Sequence, residues 1–279
     1  MSLDLEITSG NLSEPHFNLY DEFSQFYLYI QNMPNSIKKK IGIDDENYQD
    51  FFNIYINNPN KSLFKKTESA DQYLVDYWVS SVSGKAKFLD GFLDKAYHRI
   101  NKLFLTEIYE KHIKETNLNS IQDSLLERGI YLLYEDAISG TRVDGVTLKL
   151  NGKPVIGMSL RLKSLDGFWF TLLHELSHIV LHYDLLDDPI VDFFDIENDS
   201  LTINVDKIES QANRLAKDIM IPRAIWRTIE TTRNEEDLRN YSKLFKIHPS
   251  IIAGRIAFEK GEWAKYASIR GKYKVEYQF

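Results

Sequence analysis

Two histidines four residues apart, with a glutamate directly after the first, make up the run His174-Glu175-Leu176-Ser177-His178 in this 279-residue chain. On a helix, side chains four apart lie on one face one turn apart. Both imidazoles can then reach a single ion while Glu175 sits beside the water that the ion acidifies. That is a metal-hydrolase arrangement. The competing reading is a pair of capping or core histidines on an ordinary helix. A catalytic zinc site takes three protein donors and keeps one position open, so a third donor elsewhere is what separates the two.

Three candidates offer that donor. His182 continues the four-residue series, but on an unbroken helix it lies about 12 Å along the axis from His174, too far to share an ion. It reads as a helix-end residue that supports the site from behind. Between Asp184 and Asp199 stand seven acidic residues and no basic one, a solvated loop bordering the site in which no carboxylate is distinguished. Glu209 falls on the next predicted helix, 31 residues after His178, enough for a loop and an antiparallel return. Asn213 follows one turn later on the same face, placed to hydrogen-bond a ligand histidine and hold its tautomer. From spacing alone Glu209 reads equally as the third ligand and as a surface glutamate.

The elements that must position these residues are legible in outline. Asp166 can cap a helix from about Phe168 to His182, with Phe168, Leu172, Leu176 and Ile179 as its apolar stripe. A second helix is predicted from Val205 to Ile219, stopped ahead of Pro222. Before them, Ile130 to Tyr134 reads as a buried strand. Val143 to Leu150 and Pro154 to Leu160 flank Asn151-Gly152-Lys153, a tight hairpin signal. Residues 1 to 120 read as helical and polar, with Tyr73, Val75, Trp78, Val79 and Val82 spaced for one buried face and no chemical motif. Near the end, Leu238 to Phe245 and Ser250 to Phe258, joined through Lys246-Ile247-His248-Pro249, have helix-turn-helix spacing, read in preference as a packing hairpin.

Composition bounds the function classes. The net charge of −7 argues against wholesale polyanion binding, although Leu201 to Phe279 hold 15 basic and 10 acidic residues, a local +5 that leaves −12 for the rest. The asymmetry reads as an uneven solvating surface, with nucleic-acid contact through the basic C-terminal part as the lesser reading. Cysteine is absent, which excludes disulfides, thiolate metal sites and a cysteine nucleophile, and fits the cytoplasm. Met1 to Gly10 lacks the basic and apolar regions of a secretory signal, and no stretch reaches membrane-spanning length.

With these residues in hand, the chain resembles the ImmA/IrrE family of metallopeptidases. The resemblance runs through Gly140-Thr141-Arg142-Val143-Asp144-Gly145, Lys153-Pro154-Val155-Ile156-Gly157, and Phe168 to Leu173 leading into the histidine run as far as His182. It continues in Glu209-Ser210-Gln211-Ala212-Asn213, Met220-Ile221-Pro222 and Ile247 to Arg255. It implies an α+β fold, mostly helical, with a small antiparallel or mixed sheet against a zincin-like active-site helix. The expected parts are a helical region over 1–120, a metallopeptidase core over 121–225 and a helical, helix-turn-helix-like part over 226–279. The resemblance implies His174, His178 and Glu209 as ligands of Zn2+ and Glu175 as the catalytic glutamate, while the helix spacing sets Asn213 and His182 behind them. Tyr134 and Tyr183 are candidates for stabilising an oxyanion, with neither assigned. The implied activity is cleavage of a helix-turn-helix transcriptional repressor in a stress, phage or immunity response. The alternative is an antitoxin-like or DNA-binding regulator that keeps the fold without proteolysis. No convincing helix-turn-helix is legible in residues 1 to 60, where Ile37 to Tyr55 is at most an eroded copy, so the DNA-binding substrate is expected to be a separate protein.

Overall fold

The structure, a computed structural model, describes residues 14–44, 47–57, 70–93, 95–114, 118–187, 189–193 and 203–275. The chain divides into two compact units, Met1–Ser80 and Ser81–Phe279. The first contains helices α1 (Glu14–Asn32), α2 (Asn35–Ile41) and α3 (Tyr48–Asn57) and the first half of α4 (Ala70–Asp90). Its interior is aromatic: Phe26 packs on Phe52 and Tyr55 with ring centroids 5.3 and 5.4 Å apart, and Tyr29 packs on Tyr73 at 4.9 Å. The face read from the α4 periodicity is buried as expected, from Tyr73 through Val82.

The second unit holds the rest of α4, then α5 (Lys102–His112), α6 (Asn119–Leu126), strands β1 (Tyr131–Tyr134), β2 (Val143–Leu150) and β3 (Lys153–Met158), and helix α7 (Leu165–His182). Strand β4 (Ile190–Phe193) and helices α8 (Ile203–Met220), α9 (Arg223–Ile229), α10 (Glu235–Phe245), α11 (Pro249–Lys260) and α12 (Ala267–Gly271) follow. The architecture is α+β, as expected. The sheet runs β1-β3-β2-β4, with β1 parallel to β3 and the other pairs antiparallel. The predicted hairpin is β2–β3. Asn151 and Gly152 both take positive φ (50° and 75°), as a primed turn matching the strand twist requires.

Helix α7 packs against β2 and β3 on one side and α8 on another. Fifteen of its 18 residues are buried, so it is a central helix packed on nearly every side rather than along one stripe. Its N-cap is Ser164, whose hydroxyl accepts from the Gly167 amide. Asp166, the cap expected from the sequence, lies inside the helix with its carboxylate buried. Its partners lie on α11 and α12, Ser250 at 3.0 Å and Arg270 at 2.7 Å. Electrostatic pairing across helices outcompetes local capping there. The acidic run expected to be loop throughout contains β4, which pairs with β2 and closes one edge of the sheet. Asp188 and residues 194–199 of that run lie outside the described residues. Among the described residues no helix is long and apolar enough to cross a membrane.

Candidate metal centre

Helices α7 and α8 bring the predicted donors together. His174 and His178 are both fully buried, and their Nε2 atoms stand 2.9 Å apart. Glu209 on α8 completes the cluster: its Oε2 is 3.1 Å from His174 Nε2 and its Oε1 is 3.5 Å from His178 Nε2.

 

The Glu209 side chain is 25 % exposed, which leaves the cluster one open side. Donor atoms of His174, His178 and Glu209 all lie within 4.8 Å of one another. Tetrahedral ligands about 2.1 Å from one ion sit roughly 3.4 Å apart, so the observed separations fit a shared cation.

The electrostatics favour a cation as well. Burial pushes His178 down to about 4, so it is a neutral imidazole at neutral pH. Burial alone would raise Glu209, but hydrogen bonds and charge from His174 and His178 outweigh it and draw the carboxyl down to about 2. At neutral pH the site is an ionised carboxylate beside the neutral His178 imidazole, a set that a dication complements. His174 Nδ1 donates to Asn213 Oδ1 at 3.2 Å, which places the proton on Nδ1 and leaves Nε2 for a ligand. His182 is no ligand. Its ring packs 5.6 Å from that of His178, and it hydrogen-bonds the backbone carbonyl of Ile208, next to Glu209.

Glu175 faces the sheet side of the same helix and is fully buried. The Thr147 hydroxyl of β2 donates to its Oε2 at 2.5 Å. Two residues earlier Gly145 lies so close that an added Cβ would come within 2.8 Å of the Glu175 carboxyl carbon. Sequence reasoning assigns a role to neither residue. Gly145 inside a strand pattern was the available signal, because such a glycine marks a close approach. Tyr134 and Tyr183 direct their hydroxyls to the carbonyls of Leu118 and Gly152, at 3.4 and 2.6 Å, and not to the donor cluster.

Residues 127–257 match the IrrE N-terminal-like domain of the M78 peptidase family. Over this stretch the chain is similar to M78 peptidases. No curated protein matches the chain. The matched range contains the three donors, Glu175, Asn213, Gly145 and Thr147, so the whole candidate centre lies within it, and its character is metallopeptidase-like.

Proposed function

We propose that the protein is a zinc-dependent endopeptidase of the cytoplasm that cuts a helix-turn-helix transcriptional repressor in a stress, phage or immunity response. The observation that carries the peptidase reading is the convergence of His174, His178 and Glu209 beside a buried glutamate one residue along the same helix. Zinc held by these three residues would supply a Lewis acid for the scissile carbonyl and lower the pKa of the attacking water. Glu175 accepts the proton of that water and delivers it to the leaving amine. Thr147 and Gly145 fix the carboxylate for this transfer, while Asn213 and His182 hold the ligands from behind.

The nucleic-acid reading is weakened by α11. Seven of its twelve residues, including Ser250, Ala253 and Gly254 near its start, are buried against the domain, which removes the face a recognition helix presents to a groove. The test is zinc content of the purified protein, then cleavage of the neighbouring gene's product, with Glu175→Gln as control. The reading expects about one zinc per chain and cleavage abolished by the substitution with zinc retained. Zinc-loaded protein that cuts no such partner under inducing conditions rejects it.

A further inference from the structure

Against the turn of α7 that precedes His174 lies a largely apolar cavity of about 80 Å³, walled by Phe170, Met220, Ile251 and Phe258. We infer that this cavity takes a branched aliphatic side chain flanking the scissile bond, an inference that rests on the peptidase reading. Phe170 precedes His174 by one helical turn, and the two ring centroids are 6.2 Å apart. Phe258 packs 6.0 Å beyond Phe170. Lys217, Arg255 and Phe258 line both this cavity and the groove of about 720 Å³ that contains Glu209 and Asn213. A peptide lying in that groove with its carbonyl at the histidines therefore passes the mouth of the cavity.

The chemistry of the walls selects the side chain. Asp166 is engaged by Arg270 and Ser250, and Lys217 pairs with Glu259 at 3.1 Å while lying over the Phe258 ring at 4.3 Å. Arg255 donates to the carbonyls of Lys217 and Ile221, each at 2.8 Å. A cationic substrate side chain would find no spare counter-charge there, since Asp166 is already paired, whereas an apolar one gains its transfer free energy. Size narrows the choice further. The volume is several times the roughly 10–15 Å³ that one water needs and below the roughly 150 Å³ of a cavity that holds benzene, which favours leucine over phenylalanine.

The experiment is calorimetric binding of matched peptide hydroxamates to zinc-loaded full-length protein, with Gly, Ala, Leu, Phe or Lys beside the metal-binding group. Leu is expected to bind about tenfold to a hundredfold more tightly than Ala, with Lys no better than Ala. Leu162→Trp, which adds a ring to the cavity wall, is expected to reduce the Leu-to-Ala ratio to about threefold or less. Equal binding of Gly, Ala and Leu overturns the inference while leaving the metal centre standing. Failure of every hydroxamate to bind overturns both. A Leu preference in a protein that cuts nothing supports the pocket and rejects only the peptidase reading.

Discussion

The Thr147 hydroxyl, 2.5 Å from Glu175 Oε2, holds the group that the proposed reaction uses to carry a proton. A hydrogen bond to a charged group contributes about 1.5–3 kcal/mol, so Thr147→Val is expected to lower kcat roughly tenfold to a hundredfold. Zinc content should not change, and Thr147→Ser should restore most of the rate. Steady-state kinetics with metal analysis checks this, and an unchanged kcat in Thr147→Val removes Thr147 from the mechanism. His178 makes a second prediction. Its folded pKa of about 4 lies below the ordinary value of 6.5, so between those values the unfolded chain binds more protons. The metal-free domain should keep this contribution above pH 6.5 and lose up to about 3 kcal/mol as pH falls toward 4. Urea unfolding of chelated protein at pH 7.5 and 5 measures it, and equal stabilities contradict the burial argument. His174, Glu175 and His178 were legible because one turn of helix fixes their spacing. Thr147 was not, since its contact to Glu175 spans 28 residues and depends on how the helix lies on the sheet.

Helix α7 was read nearly to its ends because its apolar pattern is dense and ligand geometry demands a helix there. Its start was misread. Asp166 has the residue type of a cap, but the pairing with Arg270 and Ser250 is a tertiary fact that no local window contains. Strand β4 was hidden in the same way, by acidic neighbours that suggest solvent while Ile190 and Val191 pair with Thr147 and Val146. The Asp166 pairing has a measurable consequence. Asp166 is 5 % exposed, so removing its partner leaves a buried carboxylate uncompensated. Arg270→Ala is expected to cost about 3 kcal/mol. Denaturant unfolding checks the value, and a loss under about 0.5 kcal/mol would place the pair among surface ion pairs.

At the scale of the whole molecule, the family match ends at residue 257, inside α11, yet the fold does not stop there. Beyond it, Tyr266, Ile269 and Val275 are buried at 1, 5 and 5 % exposure. The Leu165 amide donates to the Tyr273 carbonyl and the Val275 amide to the Lys163 carbonyl, both at 3.0 Å. The end of the described chain thus pins the residues from which α7 departs. Burying three such side chains contributes roughly 5–9 kcal/mol, comparable with the roughly 5–15 kcal/mol of an entire domain. A chain ending at Lys260 is therefore expected to lose its cooperative thermal transition, and with it zinc binding, although every ligand remains. Circular dichroism melts and zinc analysis of the two lengths decide the matter: an equal midpoint with full zinc loading would show that the basic C-terminal part is dispensable to the metal centre and free for another role.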